Sequence, residues 1–172
     1  MNETPVTTYA DFILPPSVVS KIDVSRLVSE VEKIDNEMTS VAVRTKTGVS
    51  QPTQSVPSEQ LAEFIGQNKL DLTNGQKRSE LIALLRQLKD NVPVIHMTFA
   101  VVADRESLQQ CVQWLRASIH PQTVITVGLQ PALVAGVYLR TPNHVHDLSL
   151  RAMLEGSHGA LVKDLEALRG GQ

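Results

Sequence analysis

Apolar residues recur every three or four positions from Val24 onward, through Leu27, Val28, Val31 and Ile34, with Met38 close to the same stripe. This spacing predicts a helix with one buried face, and Asp23 stands where its N-cap belongs. From Ser40 to Thr47 the pattern becomes an alternation, Val41 and Val43 against Ala42 and Arg44, which predicts a short extended segment. Residues 48–58, GVSQPTQSVPS, combine two prolines with serine, threonine and glutamine, the composition of a flexible loop. Ser58 opens a short helix with Leu61, Phe64 and Ile65 on one side. A longer one follows the 68–75 connection: Leu81, Ile82, Leu84, Leu85 and Leu88 form its apolar stripe, with Lys77, Arg78, Glu80, Arg86 and Lys89 on the solvent side.

At Pro93 the period changes. VPVIHMTFAVV is β-branched and apolar, the pattern of a buried strand, and His96 inside it is expected as a hydrogen-bonded core histidine. Asp104 is placed to cap the next helix, which turns Leu108, Cys111, Val112, Leu115 and Ile119 inward, with Trp114 at its flank. TVITVG, residues 123–128, is the second strand, and a strand, a helix and a strand in this order make a crossover that joins parallel strands. Ala132 to Arg140 supplies a third strand with Gly136 in its middle, where a bulge or a close helix approach is expected. A turn around Pro142 and Asn143 follows, then Asp147 as the N-cap of a last helix carrying Leu150, Met153, Leu154, Leu161, Val162, Leu165 and Leu168, with Gly156 and Gly159 as points where it could kink.

The expected fold is therefore α+β. Residues 1–90 form a small, mostly helical unit after a polar lead-in that ends at Pro15-Pro16; residues 91–172 form an α/β unit, strand-helix-strand-strand-helix, around a small mixed sheet.

Charge and composition narrow the chemistry. Up to Asp90 the chain has 10 basic and 12 acidic residues, and beyond it 6 of each, so neither part is a basic patch. With only 3% aromatic residues, it also offers little stacking surface for bases, and no nucleic-acid partner is expected. A single cysteine, Cys111, excludes an intrachain disulfide, fits a reducing compartment, and is expected to be buried and inert. No stretch approaches the roughly 18 apolar residues of a membrane span, so a cytoplasmic chain, or one peripheral to a membrane through a partner, is expected.

One cluster invites a chemical reading. His144, His146 and Asp147 bring two imidazoles and a carboxylate within four residues, donors that suit zinc and would make a small metal-dependent hydrolase. The competing reading is a solvated turn leading into a capped helix. No H-x-x-x-H helix or cysteine pair accompanies the cluster, and His158 is the one further candidate nearby. The chain contains no G-x-S-x-G, no phosphate-binding G-x-x-x-x-G-K-[ST] and no G-x-G-x-x-G.

In order, Pro131, Leu133, Gly136, Val137, Arg140, Val145, Asp147, Ser149, Leu150, Arg151 and Leu154 match a phrase of the ATP synthase delta subunit family. The stretch from Val92 to about Leu168 resembles the C-terminal domain of that family, whose mitochondrial counterpart is the oligomycin-sensitivity-conferring protein. There a strand, a helix and a strand lead into a V-x-P-x-L-x-G-G phrase, a further strand, and a D-x-S with an arginine opening the last helix. Ala135-Gly136 stands here for the double glycine, and the turn before the aspartate is expanded to TPNHVH. The resemblance implies a non-catalytic stator subunit without cofactor, peripheral to the inner face of the cell membrane. It implies that the N-terminal helices hold the alpha subunits of the catalytic head and the C-terminal unit holds a b-type stalk, with Leu161, Val162, Leu165 and Leu168 as contact positions.

Overall fold

The computed structural model describes residues 8–46, 56–141 and 143–169; the side chains of residues 43–46, 160, 161, 164, 165, 168 and 169 lie outside the description, as does most of the 48–58 loop. It is an α+β fold, with a helical N-terminal part and a four-stranded mixed sheet. By its contacts the chain divides into two compact units, residues 1–93 with 106–124, and residues 94–105 with 125–172.

Unit 1 is built on α1 (Lys21–Lys46), α2 (Glu59–Asn68), α3 (Gly75–Asn91) and α4 (Arg105–Ser118). The first helix starts earlier than its sequence predicts. Ser20, rather than Asp23, is the cap: the Asp23 amide donates to Ser20 Oγ at 3.3 Å, and Asp23 Oδ2 accepts from the Ser20 amide at 2.9 Å. Serine and an acidic residue three positions later satisfy two orphan amides reciprocally. The helix also runs on through Lys46, so residues 40–46 of the expected extended segment are helical; Thr47 lies outside the described residues. A four-residue alternation was too short to decide the matter, because Ile34, Met38 and Val41 are also at helical spacing and simply prolong the stripe.

The predicted apolar stripes do meet. Val24, Leu27, Val28, Val31 and Ile34 are buried with Leu61 and Phe64 of α2, Leu81, Leu85 and Leu88 of α3, and Val112 and Leu115 of α4. Ser58 caps α2 as expected, accepting from the Leu61 amide at 3.2 Å, and Asn74 caps α3 from the Gln76 amide at 2.9 Å. Arg78, expected in solvent, is instead 6% exposed. Its Nε bonds Asp35 Oδ1 at 2.7 Å, while NH1 donates to the carbonyls of Leu72 and Thr73 at 2.8 and 3.1 Å. Helical periodicity could not reveal this, since the acceptors come from α1 and from the loop that precedes α3.

The lead-in is tied down by α4 and the turn after it. Arg116 Nε donates to the Thr123 carbonyl, and its two terminal nitrogens donate to the carbonyls of Leu14, Pro15 and Val18 at 2.6–3.0 Å. Gln122 Nε2 holds the carbonyls of Tyr9 and Phe12 at 2.7 and 3.0 Å. Phe12 is thereby set against Phe64, ring centroids 5.3 Å apart. Trp114, expected at the flank, is 63% exposed, and one expectation for α4 fails: Ile119, predicted inward, faces solvent just past the helix end. Cys111 is half-buried rather than buried, and that burial pushes its thiol pKa above the ordinary value.

Unit 2 is the sheet with α5 (Leu150–Arg169). Its strands are β1 (Val94–Phe99), β2 (Val124–Leu129), β3 (Gly136–Arg140) and β4 (Val145–Ser149), in the order β2-β1-β3-β4. The Val124 amide bonds the Pro93 carbonyl and the Gln130 amide the Phe99 carbonyl, a register that advances in step along both chains and makes β1 and β2 parallel. β3 is antiparallel to β1, with Met97 opposite Leu139, and β4 is antiparallel to β3, with Tyr138 opposite Asp147.

The fourth strand was not foreseen. The expanded TPNHVH turn closes earlier than expected: the Thr141 amide and hydroxyl donate to the His144 carbonyl at 2.8 and 3.1 Å, and the His144 amide returns a bond to Thr141 Oγ1 at 3.0 Å. The chain is thus free to pair again from Val145. His96 is a second correction. Ile95 and Met97 are buried but His96 is exposed, because only one face of β1 is covered. α5 is helical throughout, Gly156 and Gly159 included.

Candidate partner-binding surface

The strand directions bring several chain segments to one end of the sheet. The C-terminal ends of β1, β2 and β4 meet the N-terminal end of β3 there, joined by Ala100 N to Gly136 O at 3.4 Å and Leu150 N to Ala135 O at 3.0 Å. Large apolar side chains at this end face solvent: Val101 and Val102 after β1, Leu129 at the end of β2, Val134 before β3, and Leu148 on β4. Val102 is 82% and Val134 75% exposed. α5 leaves from the same end and continues the theme with Leu150, Met153 and Leu154, Met153 being 65% exposed. Of the side chains described from Leu150 to Gly159, only Ala152 is partly covered. The exposed apolar side chains Leu150, Met153 and Leu154, beside exposed valines and leucines at the strand ends, make this the candidate surface for a partner.

The matched phrase residues shape this end. β3 starts at Gly136, not at Ala132; before it, Pro131–Leu133 is a short 3-10 turn. Gly136 has φ +96°, and a Cβ there would run into the Leu148 carbonyl oxygen and sit 2.7 Å from Ser149 Cα. The close approach expected at this glycine is therefore real, but its partner is the backbone of β4 instead of a helix. Val134, two residues earlier, has φ 64° and ψ −54° and is spanned by a bond from the Ala135 amide to the Leu133 carbonyl at 2.7 Å, a γ-turn of the strained hand. A β-branched residue in this region costs on the order of 1–3 kcal/mol. Pro131 and Leu133 lie in the 3-10 turn, and Arg140 is exposed at the far end of β3.

Asp147 is not the helix cap. Ser149 takes that place, its Oγ accepting from the Ala152 amide at 3.2 Å, and Asp147 Oδ1 accepts from the Ser149 amide at 2.9 Å. The Ser149 hydroxyl and amide hold the Asp147 carboxyl below its usual pKa, with a smaller contribution from the Arg151 charge. The cap moved by two residues because β4 pairs with β3 through Ser149, and the helix begins only where that pairing ends. Arg151 itself reaches Glu155, Nε to Oε1 at 2.9 Å.

The metal reading finds no geometry. The rings of His144 and His146 lie 6.3 Å apart, both exposed, but Asp147 is opposite Tyr138 whereas His146 is opposite Leu139, so carboxylate and imidazole project from opposite faces of β4. Among the described residues no group of three or more His, Cys, Asp or Glu side chains converges as metal ligands. Of the expected contact positions on α5, Val162 is 36% exposed; the side chains of Leu161, Leu165 and Leu168 lie outside the described residues. Sequence reasoning missed the strand-end valines, Val101, Val102 and Val134, since a short apolar run looks the same whether it is covered or open. Among the described residues no helix is long and apolar enough to cross a membrane. Compared with known proteins, the chain matches no family model and no curated sequence.

Proposed function

We propose that this chain is a delta-type stator subunit of a rotary F-type ATP synthase, a non-catalytic adaptor between the catalytic head and the peripheral stalk. The observation that carries the reading is the apolar surface of unit 2, where α5 and the adjoining strand ends expose Val102, Val134, Leu148, Leu150, Met153 and Leu154. A stator linker transmits no chemistry. It has to resist torque, and it does so by burying helices of its partners in apolar grooves. In this reading the α5 surface receives a b-type stalk helix and the helices of unit 1 receive the alpha-subunit tails, with the chain held at the inner face of the cell membrane by those partners. The phrase that resembles the delta family supports the same assignment: Gly136 lets β3 and β4 approach, and Asp147 and Ser149 launch α5 from the sheet.

The test uses the full chain, immobilised and presented with b-type stalk and alpha subunits of the ATP synthase from the same cells. Both are expected to be retained. Met153→Glu with Leu154→Glu places two charges on the exposed face and should weaken stalk binding tenfold or more, about 1.4 kcal/mol or above, with alpha-subunit retention and circular dichroism unchanged. Should the folded wild-type chain retain neither subunit, the assignment fails.

A further inference from the structure

We draw no further inference here: the strongest candidate, the apolar surface formed by α5 and the neighbouring strand ends of unit 2, belongs to the site already described, and nothing in the structure shows what else covers it.

Discussion

Two glycines illustrate how differently one residue type acts in the two surroundings this chain provides. Gly136 has a positive φ and the backbone of β4 where a side chain would go, whereas Gly156 has nothing within 4 Å of its would-be Cβ. Gly136→Ala is expected to lower stability by about 2 kcal/mol or more, and Gly156→Ala to raise it by roughly 0.5–1 kcal/mol through helix propensity. Urea denaturation of the two variants separates them, and equal effects would contradict the strand-to-strand approach. At Asp71 the carboxylate accepts from the Thr73 hydroxyl at 2.6 Å, the Thr73 amide at 2.9 Å and Lys77 Nζ at 3.1 Å. These bonds, the hydroxyl first, lower its pKa from 3.8 to about 2. The folded form thus holds its protons less tightly than the unfolded chain, so the stabilisation is complete above pH 3.8 and disappears as pH falls through about 2. Carboxyl shifts followed by NMR should titrate near 2 in the wild type and higher in Thr73→Ala; an unmoved midpoint would remove the hydroxyl as the leading cause.

At the scale of elements, the connection between the lead-in and α4 dominates unit 1. Four carbonyl oxygens surround the Arg116 guanidinium, and burial lowers its pKa to about 10, which leaves it charged at neutral pH. Such a guanidinium organises a segment with little regular structure of its own. Arg116→Leu leaves those acceptors without a donor and is expected to cost about 3 kcal/mol or more, with Arg116→Lys recovering a part of it. Hydrogen exchange should accelerate first at residues 9–18 in the leucine variant; protection lost evenly across all helices would mean that the lead-in is not held by this contact.

For the whole molecule, the division of the chain matters to how binding is tested. α4 follows residue 90 in sequence but joins the helices of unit 1. A fragment ending near Asp90 lacks both Arg116 and Gln122, so its lead-in is expected to be unprotected even where α1 and α3 remain helical; proteolysis within residues 9–18, slow in the full chain and fast in the fragment, would report this. Failure of that fragment to bind a partner therefore says nothing about the stator assignment, which is why the binding test uses intact chains with surface substitutions.

The local pattern was sufficient for the existence of the unit 1 helices, though for neither end of α1, and for the cap at Ser58, the first two strands and the amphipathic pattern of α5, because period and capping chemistry act over a few neighbouring residues. It also marks Gly136 as a point of close approach, and the backbone of β4 stands there. Tertiary structure decided what each face meets. It buried Arg78 on Asp35, left His96 in solvent, put β4 rather than a helix against Gly136, and paired residues 145–149 into a strand that moved the helix cap from Asp147 to Ser149. It also left the apolar side chains of Leu150, Met153 and Leu154 on α5 exposed. A hydrophobic period tells which side of an element avoids water, but whether the chain itself covers that side depends on segments distant in sequence, and that was settled only when the strand order brought them together.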